Sequence, residues 1–169
     1  MHWIIKHADI LLEPADVLVC SANPFLNLSG GVGGEILLRY GDEMQKALHS
    51  HLADRHLRFV RRRDVVQTAS CGTPFKAVLH AVAVDAFYQS SSEVITTVAR
   101  RSLEMAAALG ARKVALTALA TGFGRLPMRQ FALGIKPLKP VGFSPIEQVV
   151  ICVCHESDRD DIALTLGLQ

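Results

Sequence analysis

The apolar residues of this chain form short continuous runs, which are typical of strands buried on both faces of a sheet. Residues 17–19 and 77–84 are the clearest of these runs. Each run is followed by small or turn-forming residues, where a buried strand would end. The pattern predicts six strands, at residues 3–6, 16–21, 59–70, 77–84, 114–120 and 148–154.

Between these runs, apolar residues recur every three or four positions, the spacing of a helix with one buried face. The first predicted helix covers residues 34–52, and Gly41 interrupts it without necessarily ending it. Ser90 and Glu93 form a capping pattern that begins the next helix, and Gly110 ends it. Two shorter helices are predicted at residues 128–133 and 158–166.

Strands that alternate with helices imply a mostly parallel sheet with helices on both faces. We therefore predict an α/β fold, a three-layer α/β/α sandwich around a central mixed, mostly parallel six-stranded sheet. The chain has 169 residues, and a chain of this size buries about two-thirds of its unfolded surface. Residues 1–169 are expected to form a single domain.

The charge of the chain is nearly balanced, with 18 basic and 16 acidic residues and a net charge of +2. This balance does not by itself indicate a nucleic-acid partner. The strongest charge cluster is the arginine-rich segment 55–63. A solvated edge is the expected role of such a run, and contact with RNA or a polymeric phosphate chain is a distant alternative.

The four cysteines do not have the spacing of a zinc site or of a redox pair. Cys152 and Cys154 are predicted to share one face of a strand, and all four are expected to be free thiols in a reducing compartment. The seven histidines form no metal-binding pattern. No run reaches the length of about 18 apolar residues that a membrane span needs, so we expect a cytoplasmic protein without a metal.

The most informative segment follows the second predicted strand. This strand runs into Asn23 and then into a glycine loop, residues 30–34, which opens the first helix. Glycines allow backbone N–H groups to point together at an anion, and the helix adds its positive N-terminal end. The segment therefore predicts a phosphate site at the carboxyl end of a central strand, where open α/β sheets bind ligands.

A second strand runs into a second glycine loop at residues 120–125. One such loop alone is a weak signal, because tight turns and helix caps use the same residues. Two loops that each cradle a phosphate indicate a diphosphate as the ligand. No cofactor is expected beyond this ligand.

Five motifs, in this order, resemble those of the macrodomain family, which binds ADP-ribose and processes ADP-ribose 1''-phosphate. The resemblance covers nearly the whole chain. Each motif alone is modest evidence, whereas the order of the five motifs along the chain is specific. The motifs are Ala8-Asp9-Ile10, Cys20-Ser21-Ala22-Asn23, Gly30-Gly31-Val32-Gly33-Gly34, Val78-Leu79-His80-Ala81-Val82 and Ala120-Thr121-Gly122-Phe123-Gly124-Arg125-Leu126-Pro127.

The resemblance implies that the chain binds ADP-ribose or a derivative, free or attached to a protein. Asp9 is then expected to accept a hydrogen bond from the adenine amino group, with Ile10 beside it. Asn23 is expected to contact the proximal ribose, unless its amide instead caps the turn after the strand. The two loops contribute the remaining ligand-binding residues: Gly30, Gly31, Val32 and Gly33, and Ala120, Thr121, Gly122, Phe123, Gly124 and Arg125.

Three positions depart from the family pattern. Gly33 stands where hydrolytic relatives have an aspartate that activates water, and Cys20 replaces an asparagine. Cys154, beside His155, falls where many relatives place an aromatic ring against adenine. These departures favour binding without hydrolysis.

The alternative is an enzyme that removes ADP-ribose from proteins or phosphate from ADP-ribose 1''-phosphate. A distant alternative is binding of RNA or poly(ADP-ribose) through the basic cluster at residues 55–63. The substrate phosphate would then position the water, and Asn23 is a weak catalytic candidate.

Two residues have both a functional and a purely structural interpretation. Phe123 either covers the distal ribose and diphosphate or anchors its loop in the core. His80 lies inside an apolar run, where a histidine is more often a hydrogen-bonded core residue than a catalyst.

Overall fold

A computed structural model of the chain, which describes residues 1–168, contains one six-stranded sheet with the order β1-β6-β5-β2-β4-β3. All neighbouring strands are parallel except β3, which is antiparallel to β4. The predicted mixed, mostly parallel sheet is therefore confirmed. The strands are β1 (His2–His7), β2 (Val17–Ala22), β3 (Val65–Ala69), β4 (Ala77–Val82), β5 (Lys113–Thr117) and β6 (Gln148–Val153).

Five helices cover the two faces of the sheet. The alternation of side chains along the strands divides the core, so that Val17 and Val19 point to one face while Leu18 and Cys20 point to the other. The first face packs against α3, α4 and α5, and the second against α1 and α2. The helices are α1 (Gly31–Tyr40), α2 (Glu43–Asp54), α3 (Ser92–Ala108), α4 (Met128–Ile135) and α5 (Glu156–Leu166).

The sheet topology brings the segments that follow five of the strands to one edge of the sheet. Because β1, β6, β5, β2 and β4 are parallel, their carboxyl ends meet along the same edge of the sheet. The neighbours β2 and β5 continue into helices on opposite faces, α1 and α4 respectively. Such a divergence leaves a crevice between the two strand ends, the place where open α/β sheets bind ligands.

The single helix predicted at residues 34–52 is two helices. Gly41 has a φ of 80° and ends α1, and α2 begins two residues later. An L residue rarely adopts this backbone conformation, so glycine makes the break possible here.

The strand predicted at residues 59–70 is shorter than expected and begins at Val65. Residues 59–64 form a loop, in which the N–H of Asp64 donates to the carbonyl of Arg61 and Arg63 has a φ of 80°. The arginine-rich segment therefore belongs to a loop and not to the sheet.

Other boundaries move by a few residues. The strands predicted to end at residues 84 and 120 end at Val82 and Thr117. Ser91, not Ser90, caps α3 by accepting a hydrogen bond from the N–H of Val94. The strand predicted to reach Cys154 ends at Val153. In the part of the chain that the structure describes, no helix has the length and apolar character that a membrane crossing needs.

Asp16 holds the amino ends of three strands together at the edge opposite the crevice. Its carboxylate accepts hydrogen bonds from the N–H groups of Arg112 and Lys113, which precede or begin β5. The ammonium of Lys76, just before β4, lies 2.7 Å from the same carboxylate. The hydrogen bond from Lys76, followed by that from Lys113, lowers the pKa of Asp16 to about 2.

We predict that Asp16→Asn lowers the free energy of unfolding by about 2 kcal/mol at neutral pH. A carboxylate whose pKa is lowered by folding stabilises the folded state at any pH above the pKa that it has in the unfolded chain. As the pH falls from about 4 towards 2, wild-type Asp16 is protonated and the difference between the two proteins should shrink. Urea unfolding at several pH values measures this. Asp160→Asn on exposed α5 is the control, and an equal loss in both variants would contradict the role of Asp16.

Candidate functional site

A cleft of about 820 Å³ lies at the carboxyl ends of the parallel strands. It is bounded by the segments that follow β1, β2, β4, β5 and β6. With one exception, Arg125, the predicted ligand-binding residues line this cleft. Arg125 lines an adjacent groove of about 640 Å³ together with Phe87 and Tyr88.

The ends of β2 and β5 are joined by a reciprocal pair of side-chain hydrogen bonds. The backbone N–H of Ser21 donates to the hydroxyl of Thr117 over 3.2 Å, and the N–H of Ala120 donates to the hydroxyl of Ser21 over 3.0 Å. The backbone pairing of β2 with β5 ends earlier, at Val19 and Leu116. These two hydroxyls therefore continue the attachment beyond the ladder and hold the two glycine loops across from each other.

The first glycine loop presents the unpaired start of α1. Gly30 is the N-cap residue, and no side chain caps the helix. The N–H of Gly34 donates to the carbonyl of Gly30, which is the first bond of the helix. Within residues 1–168, the N–H groups of Gly31, Val32 and Gly33 donate to no protein acceptor. This end of α1 is therefore a set of free donors with the positive end of the helix dipole behind it.

The second glycine loop is stabilised from within. The hydroxyl of Thr121 donates to the carbonyl of Ala118 over 2.8 Å, and the N–H of Leu126 donates to the carbonyl of Ala120. Ala120 has a positive φ of 64°. Of the described donors in this loop, the N–H groups at positions 122, 123 and 124 have no protein acceptor. The loop thus offers a second set of free donors to the cleft.

The glycines of this loop have different roles. A Cβ at Gly124 would lie 2.5 Å from the carbonyl oxygen of Ala120, so only glycine fits there without moving the loop. Gly122 has open space around it and no positive φ, unlike Gly31, whose φ is 51°. Gly122 therefore does not need the left-handed backbone conformation that favours glycine, whereas Gly31 adopts it.

Phe123 connects the two loops. A Cβ at Gly30 would lie 2.5 Å from the Phe123 ring, so the ring packs directly over the bare backbone of the first loop. The ring of Tyr88 lies 6.3 Å away, between centroids, in a tilted arrangement. Phe123 is 68% exposed, which contradicts its interpretation as a core anchor and leaves its other face open to the cleft.

Asn23 is folded onto its own loop. Its side-chain oxygen accepts from the N–H groups of Phe25 and Asn27, and its amide nitrogen donates to the carbonyl of Asn27 over 2.8 Å. The amide therefore caps the turn, as the structural interpretation expects. Asn23 also lines the cleft, and one amide N–H remains for a ligand.

Asp9 forms an ion pair that the sequence did not reveal. Its carboxylate accepts from the N–H of Leu11 and lies 2.6 Å from the guanidinium of Arg39, which also pairs with Glu35. Burial alone raises the pKa of Asp9, but the hydrogen bonds from Arg39 and Leu11 outweigh it and lower the pKa below its usual value. Asp9 therefore remains an acceptor, with Arg39 as its fixed partner.

The end of β6 borders the same side of the cleft as Asp9. Cys152 is buried in the last strand, whereas Cys154 lies beyond the strand and is exposed. The two cysteines therefore do not share a strand face as predicted. His155, the N-cap residue of α5, and Asp158 in its first turn also line the cleft. Among the described residues that line the cleft, no Phe, Tyr or Trp lies at this end.

Gly33 is buried beneath the loop that precedes α1. A Cβ at this position would lie 3.3 Å from the Cα and the side chain of Leu28, which is a tight contact. A larger residue here would have to displace Leu28 to reach the cleft. Where the family pattern has an aspartate, this chain therefore has a glycine whose surroundings are closed by Leu28.

His80 and Cys20 lie beneath the site and do not enter it. The two ring nitrogens of His80 lie 3.6 Å from the Cys20 sulfur and 3.1 Å from the Thr68 hydroxyl. Burial lowers the pKa of His80 to about 4 and raises the pKa of Cys20 to about 12. His80 is thus a neutral, hydrogen-bonded core residue. Residues 1–168 contain no group of three or more His, Cys, Asp or Glu placed to hold a metal ion.

Four residues that shape the cleft were not predicted from the sequence. Thr117 is the last residue of β5 and Ser21 the last but one of β2, and a hydroxyl at such a position was the one signal for their cross-link. Arg39 follows Glu35 by four residues, which predicts their helical pair but not the contact with Asp9. Tyr88 lies in a loop with no recognisable motif.

We predict that Ser21→Ala lowers the free energy of unfolding by about 1–3 kcal/mol, because it leaves the N–H of Ala120 without its acceptor. The second glycine loop should also become more mobile, with faster amide hydrogen exchange at residues 120–124. Ser50→Ala, at an exposed position of α2, is the control. Wild-type exchange rates in the loop of Ser21→Ala would contradict the cross-link.

Comparison with known proteins identifies the family. The Macro domain family model matches residues 19–133. A macro domain-containing protein of Streptomyces nogalater is 35% identical over 96% of this chain and 91% of its own length.

Two solved structures share the fold. A mutant of the Oceanobacillus iheyensis macrodomain with ADPR has a TM-score of 0.86 at 20% identity, covering 96% of this chain and 90% of that one. The Trypanosoma brucei macrodomain in complex with ADP-ribose has a TM-score of 0.82 at 17% identity, covering 98% and 69%. The match to the family model and the identity with the Streptomyces relative show that the chain belongs to the Macro domain family.

Proposed function

We propose that this chain binds ADP-ribose or a close derivative in the cleft at the carboxyl ends of β2 and β5. The observation that carries the proposal is the pair of free N–H sets, at residues 31–33 and 122–124, on the two loops that border the cleft. Backbone donors at a helix N-terminus and in a glycine loop suit the two phosphates of a diphosphate. The structurally similar macrodomains with ADPR and with ADP-ribose support this ligand.

The size and lining of the cleft suit a ligand of this kind. Ligand clefts commonly measure about 300–1,000 Å³ and combine apolar walls with a few polar groups, and this cleft measures about 820 Å³. Phe123 and Val32 supply apolar walls, while Asn23 retains one amide N–H for a ribose hydroxyl. Phe123 would cover the distal ribose and diphosphate from above.

The adenine would lie at the end of the cleft formed by Asp9, Ile10, Cys154 and His155. Asp9 would accept from the adenine amino group while Arg39 holds its carboxylate in place. This end has no Phe, Tyr or Trp among the described residues that line it, so contact with the face of the base would come from the imidazole of His155 and from aliphatic side chains. We therefore expect most of the affinity to come from the diphosphate and the riboses.

The ligand is proposed to be free ADP-ribose or ADP-ribose attached to a protein, without a cofactor. A cytoplasmic location and a single domain over residues 1–169 remain predictions. The balanced net charge gives no general affinity for nucleic acid.

We predict that ADP-ribose binds more tightly than AMP in isothermal titration calorimetry, because AMP lacks the second phosphate and the second ribose. The same difference should appear as thermal stabilisation, which reaches about 2.7 kcal/mol at a hundredfold excess of ligand over Kd. Equal affinities for the two nucleotides would contradict a role of the second glycine loop.

We predict that Gly122→Val reduces ADP-ribose affinity at least tenfold while the protein remains folded. A side chain at this position has open space within the protein, but it would occupy the cleft beside the free N–H groups. Gly142→Val is the matched control, since Gly142 also has open space and does not line the cleft. Normal binding by Gly122→Val would place the phosphates elsewhere.

The arrangement of acids in the cleft favours binding over hydrolysis. Its carboxylates belong to Asp9, Glu35 and Asp158. Asp9 and Glu35 are both paired with Arg39, and Asp158 follows β6 at the end proposed for adenine. No carboxylate of the described residues lies in either glycine loop, where the distal ribose would lie. A water there would have no side-chain base.

We predict that the protein binds mono-ADP-ribosylated protein but releases ADP-ribose at a slow or undetectable rate. Gly33→Asp should raise this rate only if Leu28 gives way to the new side chain. Release is measured by loss of label from the modified protein, with Glu35→Gln as a control that should match wild type. Rapid release by the wild-type protein would contradict this and indicate that the substrate phosphate positions the water.

A further inference from the structure

Exposed aromatic rings are concentrated in the loops at the carboxyl edge of the parallel strands. The chain has seven Phe, two Tyr and one Trp, and five of these side chains are more than 40% exposed. All five follow β2, β4 or β5 or lie in the loop before β3. We call them the aromatic rim: Phe25 (44% exposed), Phe59 (54%), Phe87 (83%), Tyr88 (41%) and Phe123 (68%).

Contacts between neighbouring loops join four of the five rings in two pairs. The rings of Phe25 and Phe59 meet edge to face, with 6.5 Å between their centroids. Their loops are also joined by the hydrogen bond from the N–H of Val60 to the carbonyl of Pro24. The centroids of Tyr88 and Phe123 lie 6.3 Å apart.

An ion pair connects these two halves of the rim. Arg62 in the Phe59 loop lies 3.4 Å from Asp85, which begins the loop of Phe87 and Tyr88. Asp85 also accepts from the N–H groups of Phe87 and Gln89, so this loop is held in place. The rim is therefore a built surface and not a set of unrelated side chains.

The rim carries unpaired positive charge. Arg58, Arg61, Arg63 and Arg125 are exposed, and none of these guanidiniums forms an ion pair with a residue that the structure describes. The two carboxylates nearby already have partners, since Asp64 pairs with Arg101 and Asp85 with Arg62. This charge favours a partner that brings negative charge.

We propose that the aromatic rim binds a single-stranded polynucleotide. Exposed rings provide faces on which successive bases stack, and arginines beside them neutralise the phosphates between those bases. The sequence showed the arginines with a single aromatic among them, Phe59, and so did not predict this surface. The fold brings in the other rings from three separate segments. A polypeptide of Asp and Glu brings negative charge but offers no aromatic faces on which the rings could stack.

The proposal goes beyond ADP-ribose binding and does not depend on it. Two members of the rim, Tyr88 and Phe123, also line the cleft. The other three, Phe25, Phe59 and Phe87, do not. The free guanidiniums of Arg58 and Arg61 also lie outside it. These residues allow the two binding activities to be tested separately.

The test is fluorescence anisotropy of the full chain with a labelled dodecamer of oligothymidylate, between about 50 mM and 200 mM salt. Phe59→Ala and Phe87→Ala should each weaken binding about tenfold, as expected when one base loses its stacking partner. Arg58→Ala/Arg61→Ala should weaken binding and reduce the magnitude of the slope of log affinity against log salt by about 1.4, since each phosphate contact to a single strand contributes about 0.7.

The controls remove similar groups away from the rim. Arg112→Ala/Lys136→Ala removes two positive charges elsewhere, and Leu164→Ala truncates a side chain that is 83% exposed on α5. Both should bind the oligonucleotide like wild type. Melting temperatures and ADP-ribose affinities of all variants should also match wild type, which separates a failure of the rim from a failure of the cleft.

Three results would overturn the proposal. The first is the absence of an anisotropy change with wild type at the lower salt. The second is an equal loss of affinity in the rim variants and in the controls. The third is equally tight binding of a polyglutamate peptide that Phe87→Ala does not weaken, because that would show attraction by charge without stacking.

Discussion

The hydrogen bonds between the ends of β2 and β5 are the constraint on which the site depends. Ser21 and Thr117 exchange donors and acceptors with the backbone just beyond the last paired residues of the two strands. From this point the chain diverges, into α1 on one face and towards α4 on the other. Without the cross-link, the loops would be positioned only by the strand pairing that ends at Val19 and Leu116, several residues before Phe123 and Gly30 meet.

A site built from backbone donors has consequences for specificity and chemistry. Free N–H groups recognise phosphate oxygens through geometry and carry no charge that titrates. In the proposed binding mode, the two phosphates need no basic side chain between the loops. The same composition supports the proposal of binding without rapid hydrolysis, because Gly33 and the second loop contribute no carboxylate. Of the three acids that line the cleft, Asp9 and Glu35 are paired with Arg39.

The parts of the structure that follow from local pattern could be predicted, and those that depend on contacts between distant segments could not. The mixed sheet, the three layers and the family are confirmed, because buried strands and ordered glycine loops leave clear signals in the sequence. The break at Gly41 needed the observed φ, since glycine within a helical pattern is ambiguous. The pair of Arg39 with Asp9 and the joining of Phe25 to Phe59 link residues far apart in the chain. Periodicity carries no information about such contacts.

The most direct test of the account is a titration of the ¹⁵N-labelled protein with ADP-ribose, followed by the backbone amide signals in NMR. Free donors that bind the two phosphates should show the largest shifts, so the account predicts them at residues 31–33 and 122–124. Smaller shifts are expected at Asp9 and Asn23, whose side chains already have partners in the protein. Large shifts confined to other parts of the chain, with both loops unchanged, would contradict the central claim that these backbone groups hold the diphosphate.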